Sequence, residues 1–184
     1  EYEGDYYFNP GLPEVREYIV RGAEELARKY DIDGIHLDDY FYPGSGFDDG
    51  AAYAKYGKGF SNIGDWRRDN VNQLVKTLGE RIHAIDPGLS YGISPSGVWA
   101  DKSSLPQGSN TTGGYESYYA SYADSRKWVK EGWIDYICPQ IYWYIGHKSM
   151  DHGTVARWWA DTVNGTGVPL YKGLACSLAG NSDP

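Results

Sequence analysis

Positive charge is scarce in this chain: 17 Lys and Arg stand against 25 Asp and Glu, for a net charge of −8. No basic run occurs, so nucleic acid is not an expected partner. Long apolar stretches are missing too; none approaches the roughly 20 residues needed to cross a bilayer. Membrane contact is expected only through an anchor outside this chain. The opening residues Glu1, Tyr2, Glu3 and Gly4 lack the pattern of a signal peptide, so any export signal is expected outside these residues. Cysteine is rare. Cys138 and Cys176 lie in apolar settings unlike that of an activated thiolate, and read as buried free thiols or as one disulfide.

Other absences narrow the chemistry. The four histidines, His36, His83, His147 and His152, form no i,i+4 pair around a Glu. His36 stands two residues before Asp38, but no third ligand of supporting spacing accompanies them, so no metal is expected. No Gly-x-Ser-x-Gly elbow is present, and no Gly-rich phosphate loop follows a strand. No cofactor is expected.

What is plentiful is tyrosine: 18 Tyr and 7 Trp against 4 Phe. Rings with a polar handle suit wet, partly apolar clefts, and sugars, with C–H faces and hydroxyls, fit such clefts best. Most of these rings must still serve to cover helices and the outer wall.

With 184 residues the chain is expected to form a single domain, 1–184. Val15, Ile19, Ala23, Leu26 and Tyr30 fall on one helical stripe that starts at Pro13 and Glu14. Val71, Leu74, Val75, Leu78, Ile82 and Ile85 form a second, opened by Asp65 and closed by Asp86, Pro87 and Gly88. A third helix is expected from about 119 to 131. A fourth carries Val155, Trp158, Trp159 and Thr162 and ends near Asn164 and Gly165. Between and around them, residues 5–8, 34–38, 89–94, 134–141 and 168–174 read as strands.

Strict strand–helix alternation implies parallel strands with helical crossovers. The helix-to-strand connections are all short, whereas the strand-to-helix connections 40–64 and 95–118 are long. Long loops gathered at the carboxyl ends of parallel strands are how a (β/α)8 TIM barrel builds an active site. A complete barrel takes about 250 residues, so the expectation is an incomplete α/β segment covering roughly strands three to seven. A doubly wound open sheet is the alternative, weakened by the missing phosphate loop.

The residues 33–43 are the most informative. Alternation sends Ile35 and Leu37 to one face of the strand and His36 and Asp38 to the other, and the strand ends in Asp38, Asp39 and the rings Tyr40, Phe41 and Tyr42. An acid facing inward at a strand end is costly unless it is used or paired; capping a loop or pairing with an Arg is the competing role. The other strand ends carry polar signatures as well. Asn9 can bind a ligand or shape the turn before Pro13. Ser94 and Trp99 sit at the rim after the third strand, and Gln140, Tyr142 and Trp143 combine an amide with stacking surfaces after the fourth.

Five segments (7–16, 33–43, 66–71, 92–95 and 133–143), in matching order over about three quarters of the chain, resemble the glycosyl-hydrolase-like ten family. The resemblance implies bacterial exported or lipid-anchored proteins, an extracellular or cell-envelope location, and a (β/α)8 barrel acting on glycans. Peptidoglycan strands lead among the substrates. The pattern from Asp33 to Asp38 is also similar to the fourth-strand element of α-amylase-type barrels, whose last Asp is the nucleophile. A chitinase-type motif would need Glu where this chain has Tyr40.

Glycoside hydrolysis normally uses two carboxyl groups, about 5–5.5 Å apart for retention and about 6.5–9.5 Å for inversion. The expected site therefore has Asp38 as nucleophile or base. Asp39 binds sugar hydroxyls or holds an Arg such as Arg67 or Arg68. Asp101, Glu116, Asp124 or a residue outside this chain supplies the general acid. Asn9, His36, Tyr40, Arg67 and Ser94 contact the polysaccharide or oligosaccharide substrate, Gln140, Tyr142 and Trp143 position it, and Trp99 is a stacking platform. A non-catalytic glycan-binding barrel is the second expectation.

Overall fold

The computed structural model describes residues 2–178. Helix α1 (Pro13–Lys29) starts with proline at its first turn, where the missing N–H is no loss, and ends with Arg28 and Lys29 against its carbonyl end. Strand β1 (Gly34–Leu37) follows after a four-residue turn, as the short connection predicts. Helix α3 (Ile63–Ile85) begins two residues before Asp65, because Asn62 is the actual cap and its side chain accepts from the Asp65 N–H. Asp65 in turn accepts from Ser61 and Asn62.

Strands β2 (Ser90–Ile93) and β3 (Tyr136–Ile137) complete a parallel sheet of order β1-β2-β3. Gly34 pairs with Ser90 and Leu37 with Ile93; Gly92 pairs with Tyr136. Helices α5 (Ser125–Lys130) and α6 (His152–Val163) follow β2 and β3. The helices pack in chain order, α1 on α3, α3 on α5 and α5 on α6. The core lies between them and the sheet, filled by Val71, Val75, Leu78, Ile82, Tyr91, Ile93, Trp128 and Ile137. At Gly79 a β-carbon would lie 2.7 Å from the Trp133 carbonyl, so this helix–loop approach requires glycine. The architecture is α/β with an open parallel sheet, consistent with a segment of a barrel.

Four expectations need correction. Residues 5–8 are not a strand: Asp5 forms one antiparallel bridge with Tyr2, and Tyr6 and Phe8 stand exposed without a neighbouring strand to pair their backbone. The fifth strand, 168–174, is reduced to bridges of Leu170 with Ile137 and of Gly173 with Gln140. Its parallel register beside β3 is kept, but Pro139 and Pro169 cannot donate to the ladder, which shortens both segments. The single helix from 119 to 131 is two pieces, α4 (Ser117–Ala120) and α5, broken at Tyr122, whose φ of 56° is left-handed. Within the long 40–64 connection lies a further helix, α2 (Gly50–Tyr56). Both cysteines are free; Cys138 is half-buried but Cys176 is exposed.

Candidate active site

The carboxyl ends of β1, β2 and β3 meet at one polar knot. The Asp38 Oδ1 accepts from the Gln140 Nε2 at 2.5 Å and from the Asp39 backbone N–H at 3.0 Å. The same Gln140 nitrogen donates to the Ser94 carbonyl at 2.9 Å. Ser94 ties the strands further, donating its hydroxyl to the Cys138 carbonyl at 2.7 Å and its N–H to that of Leu37 at 2.8 Å. Gln140 itself is held by its N–H on the Pro95 carbonyl and by bridges to Ser96 and Gly173.

Beside the knot opens a cleft of about 390 Å³, lined by Tyr7, Asp39, Tyr40, Phe41, Tyr42, Pro43, Ser96, Tyr115 and Gln140. Its size is that of a small-molecule site, about 300–1,000 Å³. Its walls are rings, and its polar groups are a carboxyl, an amide and a hydroxyl. Burial, and then the charge of Asp38, push the Asp39 carboxyl above its ordinary range, against the hydrogen bonds from its own backbone and from Gln140. Burial and the carboxylates also raise the Tyr142 phenol, which faces Asp38 and Asp39, and the Tyr115 phenol, which faces Asp39.

Below Asp38, on the same face of β1, the His36 Nδ1 lies 2.8 Å from the Tyr136 hydroxyl, and the two rings stack with centroids 5.7 Å apart. The Tyr136 ring crosses β2 over Gly92, where a β-carbon would meet it at 2.1 Å. His36 and Asp38 are exposed on this face, while Ile35 and Leu37 pack toward the core, as the alternation predicts.

The structure thus brings together Asp38, Asp39, Tyr40, Ser94, Gln140 and Tyr142, with His36 beneath them. It keeps others away. Arg67 is 3% exposed and pairs with no group of the cleft; it is bidentate on Asp49 and donates also to the Ser45 and Phe47 carbonyls and the Tyr122 hydroxyl. Burial disfavours its charge, but the bonds to Asp49 and Tyr122 prevail and raise its pKa. The expected ion pair of Asp39 with Arg67 or Arg68 is not formed, since Arg68 pairs with Asp65 and lies over the Tyr118 ring.

Trp99 is 4% exposed and is no open platform: Trp158 stacks on it, Tyr118 meets it edge-on and Asp124 accepts from its Nε1. Trp143 packs against Gly97 in the core margin. The side-chain oxygen of Asn9 is taken by the Gly11 N–H, so it shapes the turn into α1.

The three expected acids serve the loops. Asp101 is buried and accepts from Thr111 and Gly113, Glu116 accepts from the Asp101 N–H and from Ser104, and Asp124 caps α5. Among the described residues no three His, Cys, Asp or Glu side chains converge on a metal position. Of the cleft residues that were not expected, Tyr42 and Ser96 belong to segments already marked by their composition. Tyr115, deep in the 95–118 connection, carries no sequence signal.

Comparison with known proteins agrees with the site. The family model for glycosyl hydrolase-like 10 matches residues 3–182. The chain is 50% identical over 189 aligned residues to glycosyl hydrolase YngK of Bacillus subtilis, covering 100% of this chain and 37% of that protein. It is 43% identical over 173 residues to glycosyl hydrolase DigH of Escherichia coli, covering 92% of this chain and 39% of that protein. The chain therefore spans well under half the length of these relatives. Matched by the model almost from end to end, the chain belongs to the glycosyl hydrolase-like 10 family.

Proposed function

We propose that the chain carries the substrate cleft of a glycoside hydrolase acting on a bacterial polysaccharide, with peptidoglycan glycan strands the leading candidate. One observation carries this reading: two consecutive carboxyls at the end of β1 open into a cleft walled by tyrosines. Rings stack on the C–H faces of sugars, while Asp39, Gln140 and Ser96 offer partners to hydroxyls. Asp38 is the nucleophile or base. The parallel segments belong to a (β/α)8 barrel, and the protein works outside the cell or in its envelope.

The test is Asp38→Asn in this chain, and in any longer chain that contains it, incubated with purified glycan strands. New reducing ends should fall by about 10²–10⁴-fold, the usual contribution of a positioned acid or base. Turnover near that of the wild type refutes the assignment.

A second reading, a glycan-binding module without turnover, has its own support. Asp101, Glu116 and Asp124 are all engaged away from the cleft, which leaves the adjacent pair as the only carboxyls among its lining and bonded residues. If the wild type retains glycan yet releases no reducing ends, this reading stands instead.

A further inference from the structure

The Asp38–Asp39 pair has no cation. Among the described residues, no ion pair reaches either carboxyl, and the nearby arginines are engaged with Asp49 and Asp65. The groups that face the pair are His36 and Tyr40 on its own segment, Tyr115 after β2, and Cys138 and Tyr142 after β3. Only His36 can carry a positive charge, and its ring nitrogen is engaged with Tyr136. Two carboxyls in succession, one of them half-buried, do not both ionise freely under these conditions.

The donors are distributed unevenly. Asp38 Oδ1 receives the Gln140 amide and the Asp39 N–H. The orientation of that amide is not arbitrary. The Ser94 carbonyl can only accept, and it lies 2.9 Å from the same Gln140 nitrogen. Turning the amide over would set two oxygens against each other at both contacts, so Nε2 must point at Asp38. The backbone of Gln140, bonded to Pro95 and bridged to Ser96 and Gly173, leaves the side chain no other approach.

We propose that Gln140 is a positioning residue, whose amide keeps the charge of the carboxyl pair on Asp38 and leaves the proton on Asp39. Sequence reasoning makes Gln140 a substrate contact; the geometry gives it a role through Asp38. The pair then presents one base and one acid toward the cleft. The catalytic use of this division rests on the hydrolase reading, but the division itself does not.

The test is a carbon-detected NMR titration of aspartate carboxyls in the wild type and in Gln140→Leu. In the wild type the pair should titrate in two separate steps, the lower one at Asp38, with the Gln140 side-chain amide signal following that step. In Gln140→Leu the lower step should rise by about tenfold or more in proton affinity, as expected for losing a hydrogen bond to a charged group. If turnover is present, the acidic limb of its pH profile should move in the same direction.

An unchanged lower step, a Gln140 amide signal indifferent to it, or a lower step assigned to Asp39 would overturn the proposal. Should Gln140→Leu fail to fold, the wild-type amide signal decides alone. The titration needs no substrate, so a protein that only binds glycans would leave this result standing.

Discussion

Removing the Arg67 side chain should unfold far more than one contact. All five of its N–H donors are used: two on Asp49, and one each on Ser45, Phe47 and Tyr122. The Asp49 side chain is 0% exposed, so Arg67→Met leaves a carboxylate buried without a partner. Breaking such a pair costs about 3–5 kcal/mol, against about 0–1 kcal/mol for an exposed pair. For a chain of this size each kcal/mol moves Tm by about 2–4 °C, so the midpoint should fall by about 6–20 °C.

The damage should also reach the cleft. Tyr122, held by Arg67, meets Tyr42 edge-on at 5.3 Å, and Tyr42 is part of the cleft wall. Urea unfolding followed by tryptophan fluorescence gives the free energy, and a cycle with Asp49→Leu gives the coupling. The double variant should recover part of the loss, because no charge is then stranded, but the Ser45 and Phe47 carbonyls still lack donors. A loss below about 1 kcal/mol for Arg67→Met would refute the reasoning, since it would place the pair in the class of exposed ones.

Two further perturbations test the floor of the site. Gly92→Ala drives a methyl into the Tyr136 ring and should cost about 1–3 kcal/mol with loss of the His36–Tyr136 bond, visible in the His36 ring signals. Gly22→Ala, with open space around it in α1, should instead gain about 0.5–1 kcal/mol in the same urea assay. Asp39→Asn should stabilise the fold at neutral pH by about 0.5–1 kcal/mol, in the lower part of the range for relief of a functional site. The sign follows from the raised pKa of Asp39: its neutral form suits the fold, so ionisation above the ordinary carboxylate range weakens it. The gain should shrink as pH falls into that range, and an Asn variant equally stable to the wild type at pH 7 would contradict it.

Helix-scale features were readable because each rests on local chemistry. Pro13 at the first turn and the stripes of α1 and α3 place those helices to within a residue or two. The break at Tyr122 could not be read, because it answers to a distant demand: the phenol must reach Arg67, and the backbone yields by adopting a left-handed φ. Residues 5–8 show the converse. Their composition suits a strand, but a strand is completed by its neighbour, and alternation in one segment does not report whether a partner lies alongside.

The site divides along the same line. Asp38, His36 and Gln140 were legible because strand ends and pleat direction fix them, and parallel strands bring residues a hundred positions apart to one rim. Arg67 and Trp99 misled because residue type alone does not reveal satisfaction. A cation that begins a helix on the active face invites a ligand, until a buried aspartate in the preceding loop takes all of it. Asp49 gives no warning in the sequence, since its neighbours Asp48 and Gly50 read as turn. The same ambiguity worked the other way at Asp38 and Asp39. Their proximity to Arg67 in the sequence suggested an ion pair, yet what holds them is a neutral amide from another strand. A cation would have kept both carboxyls charged; an amide holds one and leaves the other free to keep a proton, which is the condition for acid and base to coexist in one cleft.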